Sequence, residues 1–168
     1  MNPEDYVSYP IALALKKHGF DEPCHYGYSV KMRLEPEISF GEPQMVHSKT
    51  PKNYNDTRKG IAKGLDFCSA VSLWQAQKWL REKKKIDVLV WNCACGYGWE
   101  VSKAENGTGL ILFDDKGDNK DSGCWTSYES ALSAGIAAAL ELTCPTIGDC
   151  LEQCLDRWRL TGTVQCLG

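Results

Sequence analysis

Ile86–Phe113 reads IDVLVWNCACGYGWEVSKAENGTGLILF, and its rhythm decides the fold class. Ile86-Asp-Val88-Leu-Val90-Trp91 is dense in the β-branched and aromatic residues that fit a pleated, half-buried surface. Gly96-Tyr-Gly98 marks a turn, and Trp99-Glu-Val101-Ser-Lys103 then alternates with the period of two expected of a strand. Asn106-Gly107 is a tight-turn pair because both residues tolerate positive φ. Leu110–Phe113 follows as a buried third strand. Successive strands joined by tight turns pair antiparallel.

The flanks of this run read as helices. Downstream, Thr126-Ser-Tyr-Glu129 matches a capping box, in which hydroxyl and carboxylate each satisfy a free backbone N–H. It opens an alanine-rich helix to about Thr143, with Tyr128, Leu132, Ile136 and Leu140 on one stripe. Gly135 sits inside that helix at a cost of about 1 kcal/mol unless close packing requires it. Upstream, Ser69 or Ser72 caps a helix with Leu73, Ala76 and Leu80 at helical spacing, flanked by Trp74 and Trp79. Residues 66–143 therefore form a compact αβββα unit, a three-stranded antiparallel sheet with helices, and the fold class is α+β.

The remainder is less regular. Residues 1–47 read as a small helix–strand element: Ser8-Tyr9-Pro10 opens a helix ended by Gly19, and Tyr26–Met32 alternates as a strand. Residues 41–64 hold two prolines, three glycines and two asparagines, so 48–65 is expected to be a linker or exposed loop. Residues 144–168 make a cysteine-rich tail, in which 150–160 would form a short helix with Leu151, Cys154, Leu155 and Trp158 on one face.

Two stretches carry a resemblance. Ile11–Cys24 (IALALKKHGFDEPC) is similar to the opening of small proteins carried by prophages and mobile elements of gut bacteria. Ser72–Glu82 (SLWQAQKWLRE) and Tyr128–Leu140 (YESALSAGIAAAL) are similar to the rest of those proteins, and the pattern also resembles the phage ABA sandwich domain. The resemblance implies an α+β accessory protein of phage type. It carries no catalytic residue, because its motifs are packing residues.

Composition narrows the chemistry. The chain has 168 residues, 43% hydrophobic and 24% charged, enough to bury a core. No stretch approaches the ~18 apolar residues of a membrane span, and Ile11–Leu15 is too short for a signal-peptide core, so the host cytosol is the expected compartment. Thiols there stay reduced. A net charge of −3 argues against bulk electrostatic coating of nucleic acid.

No catalytic set stands out. All three histidines, His18, His25 and His47, precede residue 48, and Cys24 beside His25 points to the opposite side of an extended chain. The nine cysteines lack paired zinc spacing; Cys93 with Cys95, and Cys150 with Cys154, are the nearest pairs to a metal site, and no metal or cofactor is expected. The acidic run from Asp118 to Glu129 resembles a calcium loop, except that Lys120 stands where an oxygen ligand belongs. The expected role is non-enzymatic, by binding another protein or by self-association, with Trp74, Trp79, Trp91, Trp99 and Trp125 as the candidate surface. The alternative is nucleic-acid binding through Lys78, Arg81, Lys83, Lys84 and Lys85, though the second helix lacks the cations a double-stranded RNA module needs.

Overall fold

The computed structural model describes residues 2–33, 39–56, 65–111 and 125–143. A 3₁₀ turn over Pro3–Asp5 leads into α1 (Tyr9–Lys17), with Pro10 in its first turn and Gly19 beyond its end at φ 84°. Ser8 takes the cap position, but its hydroxyl makes no capping bond. Four strands follow: β1 (Cys24–Arg33), β2 (Ser39–Phe40), β3 (Gln44–Lys52) and β4 (Leu65–Ser69). β1 pairs antiparallel with each of the other three. Val7 adds to this layer by donating its N–H to the Val71 carbonyl at 2.9 Å.

This first layer corrects the sequence reading. Residues 48–52, expected in a linker, continue β3, and 65–69 form β4, so the N-terminal part is a four-stranded sheet rather than a helix with one strand. The reason lies in exposure. β3 is a border strand whose last four residues are all exposed, so it lacks the alternation that burying one face imposes.

Three polar side chains fasten the layer. Lys16 Nζ donates to Asp66 Oδ1 at 2.9 Å and to the Phe67 carbonyl at 2.8 Å, fixing α1 to β4. Asn55 Nδ2 donates to the Phe20 carbonyl while its Oδ1 accepts the Ser69 N–H. The Tyr28 hydroxyl donates to the Val7 carbonyl at 2.8 Å.

The second layer follows the expected αβββα order. Ser72, not Ser69, caps α2 (Leu73–Trp79) by accepting the Gln75 N–H at 3.2 Å. The helix runs on as a π turn over Leu80–Lys84 and stops at Lys85, which has φ 58°. The second sheet has the order β5 (Ile86–Cys93), β6 (Gly96–Lys103), β7 (Gly109–Ile111). Its first turn is Ala94-Cys95, so Gly96 and Gly98 belong to β6 rather than to a turn.

The last helix, α3 (Tyr128–Glu141), starts one residue later than the Thr126 box implies. Ser127 and Ser130 form the reciprocal cap. Trp125 exchanges backbone hydrogen bonds with Tyr97 at 2.9 and 3.1 Å, which ties the chain to β6 until the helix can begin. α3 packs across β5 and β6 and also meets α1 and α2. One cluster of buried side chains runs from Val7, Leu15 and Phe20 through Cys68 and Trp79 to Val88 and Ile136. A boundary at 65/66 would divide β4 and this shared core. The tail at 144–168, with its expected helix, and the acidic loop lie outside the described residues.

Gly135 lets α3 approach the sheet. A Cβ there would lie 2.6 Å from Val88 Cγ1 and 3.3 Å from Trp99 Cβ. Alanine improves helix propensity by about 1 kcal/mol, yet overpacking a filled core costs about 1–3 kcal/mol. Gly135→Ala is therefore expected to lower stability in urea denaturation, and Val88→Ala in the same chain to recover part of the loss. A Gly135→Ala protein more stable than the parent would refute this account.

Candidate interaction surface

The five tryptophans do not form one surface. Trp79 and Trp99 are 3% and 7% exposed and belong to the core, which removes them from the expected interface. Trp79 lies against Phe20 with ring centroids 5.5 Å apart, and Trp99 sits beneath Gly135 of α3. Trp125 is half-buried and held to Tyr97 by its backbone. Trp74 is 65% exposed on α2, with Lys78 Nζ 5.5 Å from its ring centroid.

Trp91 has a more particular setting. Register places Val88 opposite Val101 and Val90 opposite Trp99, and these pairs face α3. The intervening residues therefore face away, with Leu89 opposite Glu100 and Trp91 opposite Gly98. The Trp91 ring covers Gly98 so closely that a Cβ at that position would overlap it. Leu89, 44% exposed, stands beside it, so two large apolar residues occupy the sheet face turned away from α3. Leu89 was not singled out from the sequence. The available signal was Gly98, since a glycine within a strand marks a place where another group comes close.

The basic helix end is engaged locally. Lys78 approaches Glu82 at 3.9 Å, Arg81 approaches Asp87 at 3.7 Å, and Lys85 approaches Glu105 at 3.7 Å. Lys84 Nζ stands over the Trp79 ring at 5.3 Å, and Lys83 is exposed on the π turn. Phosphates would have to compete with these carboxylates.

Among the described residues, no group of three or more His, Cys, Asp or Glu side chains could hold a metal ion. Cys95 is exposed at the β5–β6 turn. Cys93 ends β5, and Cys150 and Cys154 lie outside the described residues. Cys24 and Cys68 are buried, and burial pushes their thiols up to about 11 and about 12. A nucleophilic thiol needs the opposite shift. His25 is exposed while neighbouring Cys24 is buried, and its ring stacks near His47 at 6.4 Å.

His18 is 7% exposed at one end of an open cleft of about 320 Å³ between α1 and α3, lined also by Pro10, Ile11, Ala14 and Leu140. Thr143 Oγ1 lies 2.8 Å from His18 Nδ1 and donates to the Leu140 carbonyl at 3.0 Å. The histidine thus joins the ends of α1 and α3. No helix among the described residues is long and apolar enough to cross a membrane. Comparison with protein-family models, curated proteins and solved structures finds no match to this chain.

The thiol environments are directly measurable. In native protein at pH 8, iodoacetamide followed by peptide mapping is expected to label Cys95 and to spare Cys24 and Cys68 until the chain is unfolded. Because both buried thiols have folded values above the unfolded 9.0, their stabilisation is complete below pH 9 and is lost as pH rises toward 11 and 12. The urea midpoint should fall across that window, and less steeply in Cys68→Ala. Rapid native labelling of Cys68 would contradict its placement.

Proposed function

We propose that this chain is a non-enzymatic accessory protein of phage or prophage type that acts by binding protein, either another chain or itself. The observation that carries this reading is the apolar pair Leu89 and Trp91 on the sheet face opposite α3, with Trp74 exposed on the adjacent helix. Aromatic residues such as these tryptophans are enriched at the centres of protein interfaces. The phage association rests on the sequence resemblance at Ile11–Cys24 and in the two helices. Raised thiol pKa values, and the separation of Cys24 from His25, favour binding over catalysis.

A second reading is nucleic-acid binding. Its support is Trp74 beside Lys78, an exposed ring next to a cation, which is a pairing suited to stacking on a base. Against it stand the carboxylates already facing Lys78, Arg81 and Lys85.

Light scattering of the purified chain, with affinity capture from phage-bearing host cells, tests the first reading. A mass above 18.7 kDa, or a stoichiometric complex lost on Leu89→Lys, is expected. A monomer that retains no partner would overturn it. A gel shift with duplex or single-stranded nucleic acid at ~50 mM salt that fades steeply as salt rises would favour the second reading instead.

A further inference from the structure

The cleft between α1 and α3 lies where the described chain leaves α3. Pro10, Ile11 and Ala14 of α1 line it together with Ala137 and Leu140 of α3. His18 and Thr143 close one end, 2.8 Å apart, and the C-terminal ends of both helices meet there. Glu141 is at that end too, so the polar lining is gathered in one place and the rest is apolar. From His18 back to Pro10 the α1 wall runs about 12 Å at the helical rise per residue.

Residues 144–168 start from this closed end. Cys144–Asp149 (CPTIGD) holds Pro145 and Gly148, residues that turn a chain. Asp149 with Glu152 three positions on has the pattern of a capping box, and Gly162 stands where a helix would stop. Between them Leu151, Cys154, Leu155 and Trp158 recur at i, i+3, i+4 and i+7, one apolar stripe. A helix this short is marginal in water by itself, so the stripe needs an apolar surface to lie on.

We propose that residues 150–160 occupy the α1–α3 cleft as a helix antiparallel to both walls. Its stripe then lies on Ile11, Ala14 and Leu140. Three features name this occupant. The link from Cys144 to Asp149 has the length that joins antiparallel helices, and it leaves from Thr143, which is itself part of the cleft. From Leu151 to Trp158 the stripe is about 10 Å long at the helical rise, which fits the wall. Run antiparallel, the N-terminus of the segment meets the C-terminal ends of α1 and α3, the favourable arrangement of helix dipoles. A link this short also gives the segment an effective concentration on the order of millimolar, above that of a second copy or a free partner in dilute solution. The cleft then belongs to the chain's own core, and the sheet face at Leu89 and Trp91 is left for partners.

Photo-crosslinking of the full chain at ~1 μM, about a thousandfold below the effective concentration of the tether, tests the assignment. With p-benzoylphenylalanine replacing the exposed Glu141, peptide mapping is expected to find a cross-link to residues 150–160 within an 18.7 kDa species. In the parent chain, iodoacetamide should label Cys154 at least about tenfold more slowly than Cys166. Trp158→Asp should abolish the cross-link and bring the two labelling rates together, with the amides of β5 and β6 as protected as before. No cross-link to 150–160, with Cys154 and Cys166 labelled alike in the parent, would overturn the proposal. A cross-linked species of twice 18.7 kDa would overturn it as well, by putting the segment of a second copy in the cleft.

Discussion

Everything in the second layer depends on the absence of one side chain. At Gly135 the backbone of α3 rests on Val88 and Trp99, and a single added carbon would push the helix off the sheet. That contact fixes which face of β5 and β6 is inner. Val88, Trp99 and Val101 are then committed to packing, and Leu89 and Trp91 are turned outward by the alternation of the strand. The same helix meets α1 and α2, so the close approach at Gly135 also positions the first layer.

The parts legible in the sequence are those where burial imposes a period. α2, β5, β6 and α3 each present one face to a shared core, and their apolar residues recur at 3.6 or 2 positions accordingly. β3 escaped because little of it is buried, so composition alone spoke, and its lysines and proline read as a loop. β4 escaped because it is short and its residues resembled the approach to a helix cap. The cap of α3 moved by one residue because Trp125 is held by Tyr97, a contact between positions that are distant in sequence.

The tryptophans show the same limit at the level of the site. Trp91 and Trp99 lie in adjacent strands and look alike in sequence, yet one covers a glycine on the outer face and the other supports a helix on the inner face. Only the register separates them. It pairs Cys93 with Gly96 across a two-residue turn and sets Trp91 against Gly98. The basic cluster was legible as residues but not as chemistry, because its carboxylate partners Asp87 and Glu105 come from other elements. The thiols at Cys24 and Cys68 serve as small apolar side chains, which relieves the sequence's most unusual count of any need for a bridge or a metal at those positions.

The hydrogen bond between His18 and Thr143 spans 125 positions of the chain. Contacts of such separation close large loops and form only after the entropy of closure has been overcome by nearer contacts. During synthesis α1 emerges early, but its resting place against α3 does not exist until residues past 140 have been made. β4 meets the helix earlier, but the side of α1 that faces α3 must wait uncovered until then. α1 is thus made well before the last of the neighbours against which it finally rests.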